Sequence, residues 1–257
     1  EECKSKVILL EEDQDLNDQI LDKKSEVDEN PAITKEYRKV GDYLEALFYK
    51  KLGGKNGWIP NSIAWKTSKY DDYINGVDFV VETQDKEFAL ATDLTFSHSK
   101  TLINKLNRIK HNINGDSLPS VTFYERTETT VAKPMPIVTM AVEYDKTVKA
   151  LKLWADGQGN LLDNHPMKAK TMLELEAQLE SFAIYAKSIG RRNIASAYND
   201  MLSKIQLMIV NYENTIKKYR EQIDDDEAYK SIMKFCGDLK KESEEIISSR
   251  KSDRENY

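Results

Sequence analysis

Gly76-Val77-Asp78-Phe79-Val80-Val81-Glu82, then Gln84-Asp85-Lys86-Glu87, then Phe88-Ala89-Leu90-Ala91-Thr92-Asp93-Leu94-Thr95-Phe96 form the stretch on which the fold turns. The first run is β-branched and strand-like, the polar tetrapeptide reads as a turn, and the second run is again largely apolar, so the three together predict a β-hairpin. Each run carries one acid, Asp78 or Asp93, where its pattern predicts an apolar residue. A carboxylate inside such a run is costly to bury unless it is paired or binds a cation. Two carboxylates converging at the end of a hairpin offer the oxygen ligands that Mg²⁺ prefers, with waters and a substrate phosphate completing the octahedron. That chemistry favours phosphodiester cleavage, in which a metal lowers the pKa of a bound water and neutralises charge building on the phosphate.

Upstream of the hairpin, Tyr37, Val40, Leu44, Leu47, Phe48 and Leu52 recur at helical spacing and predict a helix from Thr34 to Leu52, stopped by Gly53-Gly54. Trp58-Ile59-Pro60 and a polar stretch, expected to be extended, lead into the hairpin. Downstream, Leu102, Ile103, Leu106 and Ile109 share one face of a helix expected from Ser97 or Ser99 to about Asn112. Two further strands are expected at Ser120 to Tyr124 and at Ile137 to Val142. The resulting order (α, extended or β, β, β, α, β, β) suits an α/β fold with a mixed sheet flanked by helices.

From about Lys168 the character changes to long polar-apolar stretches near Met172 to Ile189, Asn193 to Ile223 and Glu227 to Ser249, with Gly190 and Gly237 as the main breakers. An all-helical C-terminal region is expected, in which Leu202, Ile205, Ile209, Tyr212, Ile216 and Tyr219 pack as an antiparallel hairpin or bundle. Three segments follow: an acidic arm over 1–33, an α/β core over 34–167 and a helical extension over 168–257. Asn30-Pro31 marks the end of the arm, because proline restricts the residue before it and lacks an amide donor.

With Asp78, Asp93 and this element order in view, the chain resembles the PD-(D/E)XK nuclease superfamily, the restriction-endonuclease-like fold, over roughly residues 34 to 145. The resemblance implies a site built from an acid on the first core helix, an Asp at the start of a central strand, and an acid-x-Lys on the next strand. Glu45 fits the first role, Asp78 the second and Asp93-Leu94-Thr95 the third, with Mg²⁺ or Mn²⁺ as the implied cofactor. Thr95 departs from the family, since a neutral hydroxyl cannot stabilise an attacking hydroxide as an ammonium does. The following helix offers Lys100, Lys105, Arg108 and Lys110 with no acid between Ser97 and Asn114. Lys105 and Lys110 flank its apolar stripe whereas Lys100 lies nearly opposite, and Lys105 is the choice for a relocated lysine, as some branches of the superfamily imply. Thr95, His98, Lys100, Arg108 and Lys110 are the candidate nucleic-acid contacts, and DNA is the expected substrate.

The plainer readings stay beside these. A strand acid is more often a half-exposed edge residue than a metal ligand, helices are rich in Glu, and a charged helix face is usually just solvated. A nuclease-like core that is catalytically inactive, or a scaffold whose C-terminal helices bind a protein partner or a second copy, is the alternative. In that case the acidic first 30 residues could be a partner-binding arm or a DNA mimic.

The 257 residues carry a net charge of −6, of which about −7 falls in residues 1 to 30, so the remainder is near neutral and any nucleic-acid surface must be a local patch. Cys3 and Cys236 are too far apart in sequence for a metal-ligand motif, and no disulfide framework is supported. His98, His111 and His165 make no ligand spacing, and Gly53-Gly54-Lys55 is not a phosphate loop, so ATP-driven chemistry is not expected. The chain opens Glu1-Glu2-Cys3-Lys4 without the basic and apolar regions of a signal peptide, and no run of about 18 apolar residues occurs. A cytoplasmic protein is expected, in a host cell or virion if viral, and a phage or mobile-element setting would suit the resemblance. The absent initiator Met implies processing, trimming or a fragment.

Overall fold

A computed structural model describes residues 31–54, 57–83, 88–96, 99–121 and 133–255. The expected acidic arm falls almost wholly outside them, as do the hairpin turn at 84–87 and His98. Helix α1 (Pro31–Leu52) is followed by strands β1 (Ser62–Lys66), β2 (Phe79–Thr83) and β3 (Ala89–Phe96), helix α2 (Ser99–Asn114), the short pair β4 (Ser120–Val121) and β5 (Lys133–Pro134), and strand β6 (Ile137–Val142). Helices α3 (Tyr144–Ala155), α4 (Pro166–Ser188), α5 (Arg192–Ile209), α6 (Glu213–Asp224) and α7 (Glu227–Glu255) complete the chain. The protein is thus α/β, with one mixed four-stranded sheet in the order β1-β2-β3-β6, flanking helices and a helical C-terminal region. No helix among the described residues is long and apolar enough to cross a membrane.

Residues separate into two compact units that do not follow the chain. The first lies within Glu1–Leu94, Pro119–Ile137 and Tyr144–Gly159; the second comprises Thr95–Leu118, Val138–Glu143 and Asn160–Tyr257.

In the first unit, α1 buries Leu44, Leu47, Phe48 and Leu52, the stripe expected from the 3.6-residue period. Helix α1 ends at Gly53-Gly54 as expected. Gly54 has φ +103°, which glycine adopts without the Cβ clash of other residues, and its N–H donates to the Ser62 carbonyl at 2.6 Å. A Cβ on Gly53 would lie 2.6 Å from the Ala64 nitrogen, so close passage of the chain over β1 requires glycine there. Trp58 then folds back, its N–H donating to the Lys51 carbonyl at 2.7 Å and its ring meeting Phe48 edge-on at 5.1 Å. Strand β1, read from sequence as extended or β, pairs antiparallel with β2, Ser62 opposite Thr83 and Lys66 opposite Phe79. Helix α3 packs on α1 through a face containing buried Thr147 and Ala150; no sequence reading anticipated it.

The hairpin forms as expected, β2 and β3 pairing antiparallel with Phe79 opposite Thr92 and Glu82 opposite Ala89. Strand β2 begins at Phe79 and not at Gly76, because Gly76 (φ 62°) closes a π-helical turn over Asp71–Asn75 with its N–H on the Asp71 carbonyl. The expected strand from Ser120 is described only as the two residues of β4.

In the second unit, α4 is buried over almost its whole circumference and packs against α5, α6 and α7. The expected helical stretch from Asn193 to Ile223 is broken by a 3₁₀ turn at Val210–Tyr212. One stripe of α4 is polar: Lys170, Glu174 and Gln178, spaced four apart and all buried. Its partner is the backbone of β6. Gln178 accepts from the Thr139 N–H at 2.8 Å and donates to the Thr139 carbonyl at 2.7 Å, while the Lys170 ammonium donates to the Ala141 carbonyl. Among the described residues no strand pairs with the outer edge of β6, so its buried backbone groups must find other partners, and these two side chains provide them.

Candidate functional site

Asp78, immediately before β2, and Asp93, on β3, are both buried, at 8% and 2% exposure, in the first unit. Phe79 stands opposite Thr92, yet the Asp78 N–H also donates to the Thr92 carbonyl at 2.9 Å. Asp78, just before β2, and Phe79, its first residue, therefore both face Thr92 of β3, which is a β-bulge, a device that re-aims a side chain. The re-aimed Asp78 carboxylate accepts the Leu94 N–H through Oδ2 at 2.6 Å. Strand N–H groups point along the sheet plane, so this carboxylate occupies the place of the next β2 residue, alongside the Asp93–Leu94 peptide. On the far side of the bulge, Thr67 holds the chain, its N–H donating to the Asp78 carbonyl at 3.2 Å and its hydroxyl to the Val77 carbonyl.

Glu45 is not brought into this pair. Cross-strand partners share a face, so Lys66, Phe79 and Thr92 lie together, and the Tyr49 ring of α1, 6.3 Å from that of Phe79, marks the face as the one α1 covers. Alternation along β3 turns Asp93, next to Thr92, to the other face. Glu45 instead receives the Lys66 ammonium, Nζ to Oε2 3.2 Å. Among the described residues no group of three or more His, Cys, Asp or Glu side chains could hold a metal ion. Asp78 and Asp93 offer two carboxylates, and Mg²⁺ takes one or two carboxylates and keeps several of its waters.

Sequence reasoning missed Lys66, which sits in what read as a polar connector. Burial alone would lower its pKa, but Glu45 beside it outweighs that, with the Asp72 and Asp78 charges adding, and the ammonium is held above the ordinary lysine range. The signal available in the sequence was only its position a dozen residues before Asp78.

The remaining candidates lie in the second unit. Thr95 is half-buried, its hydroxyl donating to the Phe96 carbonyl at 3.2 Å. On α2, Lys100 is exposed and Lys105 and Arg108 are half-exposed. Lys110 is engaged by its own unit, 2.6 Å from Glu242 Oε2 on α7 and 5.2 Å from the centre of the Tyr185 ring on α4. A phosphate contact by Lys110 would compete with this pairing.

Neither family models nor curated proteins nor solved structures gave a match to this chain.

Proposed function

We propose that this protein is a Mg²⁺- or Mn²⁺-dependent nuclease of restriction-endonuclease-like fold that hydrolyses phosphodiester bonds of DNA. The observation that supports the proposal is that the Asp78 carboxylate, at a bulge, accepts the N–H of Leu94, the residue that follows Asp93. The order helix, three antiparallel strands, helix and a further strand, with sheet order β1-β2-β3-β6, supports it as the element order of the resemblance.

Asp78 and Asp93 would hold the metal, which when bound supplies a water of lowered pKa and neutralises phosphate charge. In hydrolysis the water oxygen forms a bond to phosphorus as the bond to the departing sugar oxygen breaks. One water proton ends on that sugar oxygen and the other on the new phosphate monoester or in solvent. The chain's own part is to fix the two carboxylates: the Leu94 amide holds Asp78, and burial within β3 holds Asp93. Lys100, which is exposed, and Lys105, Arg108 and Lys110, which are half-exposed, are the proposed α2 contacts to the DNA backbone.

The experiment is cleavage of labelled single- and double-stranded DNA and RNA with Mg²⁺, Mn²⁺ or EDTA by the wild type, Asp78→Asn and Asp93→Asn. Metal-dependent cutting of DNA that is lost in both variants is expected; full cutting by Asp93→Asn would sink the proposal. A second reading, an inactive nuclease-like core that acts in assembly through its helices, is favoured by Glu45 standing apart from the pair and by the neutral Thr95. It predicts no cutting and no Mn²⁺ binding by the wild type.

A further inference from the structure

Helices α2 and α7, both in the second unit, border a cavity of about 440 Å³, a size that holds small ligands in other proteins. Its apolar wall is made by Ile103 of α2 and by Phe235 and Leu239 of α7. Lys110 and Glu242 bridge the two helices beside it, Nζ to Oε2 2.6 Å. Three further lining side chains are polar and have no hydrogen bond or ion pair with any described residue: Asn107 of α2, and Lys234 and Asp238 of α7. Lys234 and Asp238 are four residues apart on one helix face, where opposite charges ordinarily pair, yet these two do not. Each keeps its charge available to a ligand, and the two positions stand about 6 Å apart along the helix axis.

We infer that this cavity binds one nucleotide, with the base against the Phe235 ring, base-edge N–H groups on Asp238 and Asn107, and the phosphate on Lys234. The Phe235 ring is half-buried and leans on Phe182, centroids 6.2 Å apart at 59°, which holds it in place as a platform. Every base has a face that stacks on such a ring. A carboxylate accepts from base amino and imino groups while an amide both donates and accepts, so the two together read a base edge. An amino acid also offers an anion and a donor, but it carries both on one carbon, whereas this cavity sets their partners a helical turn apart. Lys100, exposed and two turns before Asn107 on the same face of α2, takes the next phosphate when the nucleotide belongs to a strand. The inference goes beyond the nuclease proposal and needs none of its acids, because a free nucleotide and an unpaired nucleotide of DNA share this chemistry.

The test uses the full chain in EDTA. Fluorescence anisotropy follows a labelled single-stranded DNA oligonucleotide, with deoxyadenosine monophosphate or inorganic phosphate as competitor. Wild type is expected to bind the strand, and the monophosphate to displace it where inorganic phosphate at the same concentration does not. Phe235→Leu, which keeps an apolar side chain but no ring face, should weaken binding about 10-fold, and Asp238→Ala by a similar factor. Lys234→Gln should weaken it and reduce the salt dependence by about one phosphate contact, with Lys234→Arg restoring both. Lys234 and Asp238 are exposed, so their variants are expected to melt with the wild type. Displacement by monophosphate near the strand's own dissociation constant assigns the cavity to free nucleotides, and displacement only at far higher concentrations assigns it to a nucleotide within a strand. Strand binding unchanged in the Lys234→Gln, Asp238→Ala double variant would overturn the inference, as would equal binding of a blunt duplex or equal displacement by inorganic phosphate. Asp93→Asn should bind as the wild type does. Cutting without nucleotide binding here removes the inference and leaves the nuclease, and binding without cutting does the reverse.

Discussion

The Asp78 carboxylate accepts the Leu94 N–H at 2.6 Å and so ends the β2–β3 ladder with a side chain. Asp78 therefore has a structural task as well as the proposed chemical one, and the two separate by substitution. Asp78→Ala leaves a buried amide without its acceptor and is expected to lose about 1–3 kcal/mol of stability. Asp78→Asn keeps a carbonyl acceptor and should lose much less while losing Mn²⁺ binding. Urea unfolding of the two variants, read beside calorimetry, checks this; equal stability loss in both would show that the amide bond is not what Asp78 contributes.

Gly53 passes β1 so closely that a methyl group would meet backbone and not a movable side chain. Gly53→Ala is accordingly expected to lower the melting temperature by several degrees, equivalent to about 1–3 kcal/mol. The neighbouring Gly54, with open space around it, carries a conformational penalty instead, because its φ of +103° disfavours any side chain. A Gly53→Ala variant that melts with the wild type would show that the turn relaxes away from β1.

Gln178 holds both the N–H and the carbonyl of Thr139. Gln178→Leu is close in size but offers neither group, so two buried backbone groups lose their partners and about 2–5 kcal/mol is expected to go. Gln178→Glu would keep the acceptor and lose the donor, and should fall between. The ordering of the three proteins in chemical denaturation is the check, and a Leu variant as stable as the wild type would refute it.

Glu174 is buried between Lys170 at 2.9 Å and the environment of Asp226, which itself lies 3.3 Å from Lys170. Burial pushes the Glu174 carboxyl up to about 7 despite the Lys170 charge. A folded-state pKa above the unfolded value means that the native state binds the proton more tightly, so this group's contribution to stability falls as pH rises from about 4.5 to about 7. Glu174→Gln mimics the protonated form. Its melting temperature relative to wild type is expected to be higher at pH 8 than at pH 5, and a difference independent of pH would remove the effect.

Much of the fold was legible because it rests on local pattern. The stripe Leu44, Leu47, Phe48 and Leu52 has the helical period, Gly54 after it holds a conformation that other residues resist, and the two runs around 84–87 are β-branched or apolar with turn chemistry between them. Asp78 and Asp93 stood out as acids in apolar runs, and the structure buries both. Helix α3 was not legible, because it buries a narrow face containing Thr147 and Ala150, and β1, a short edge strand of mixed polarity, was legible only as extended or β.

What the sequence by itself determined is therefore the set of elements with strong period and breaker signals, and the identity of the two acids. What only the tertiary structure decided are the relations across distance. The bulge that turns Asp78 to Leu94 depends on a hydrogen bond one residue out of register. Glu45 pairs with Lys66, 21 positions on, and Gln178 reaches β6 across 39. Such contacts follow from which surfaces meet once apolar faces are buried, and each depends on strand register and helix rotation, which no local window encodes.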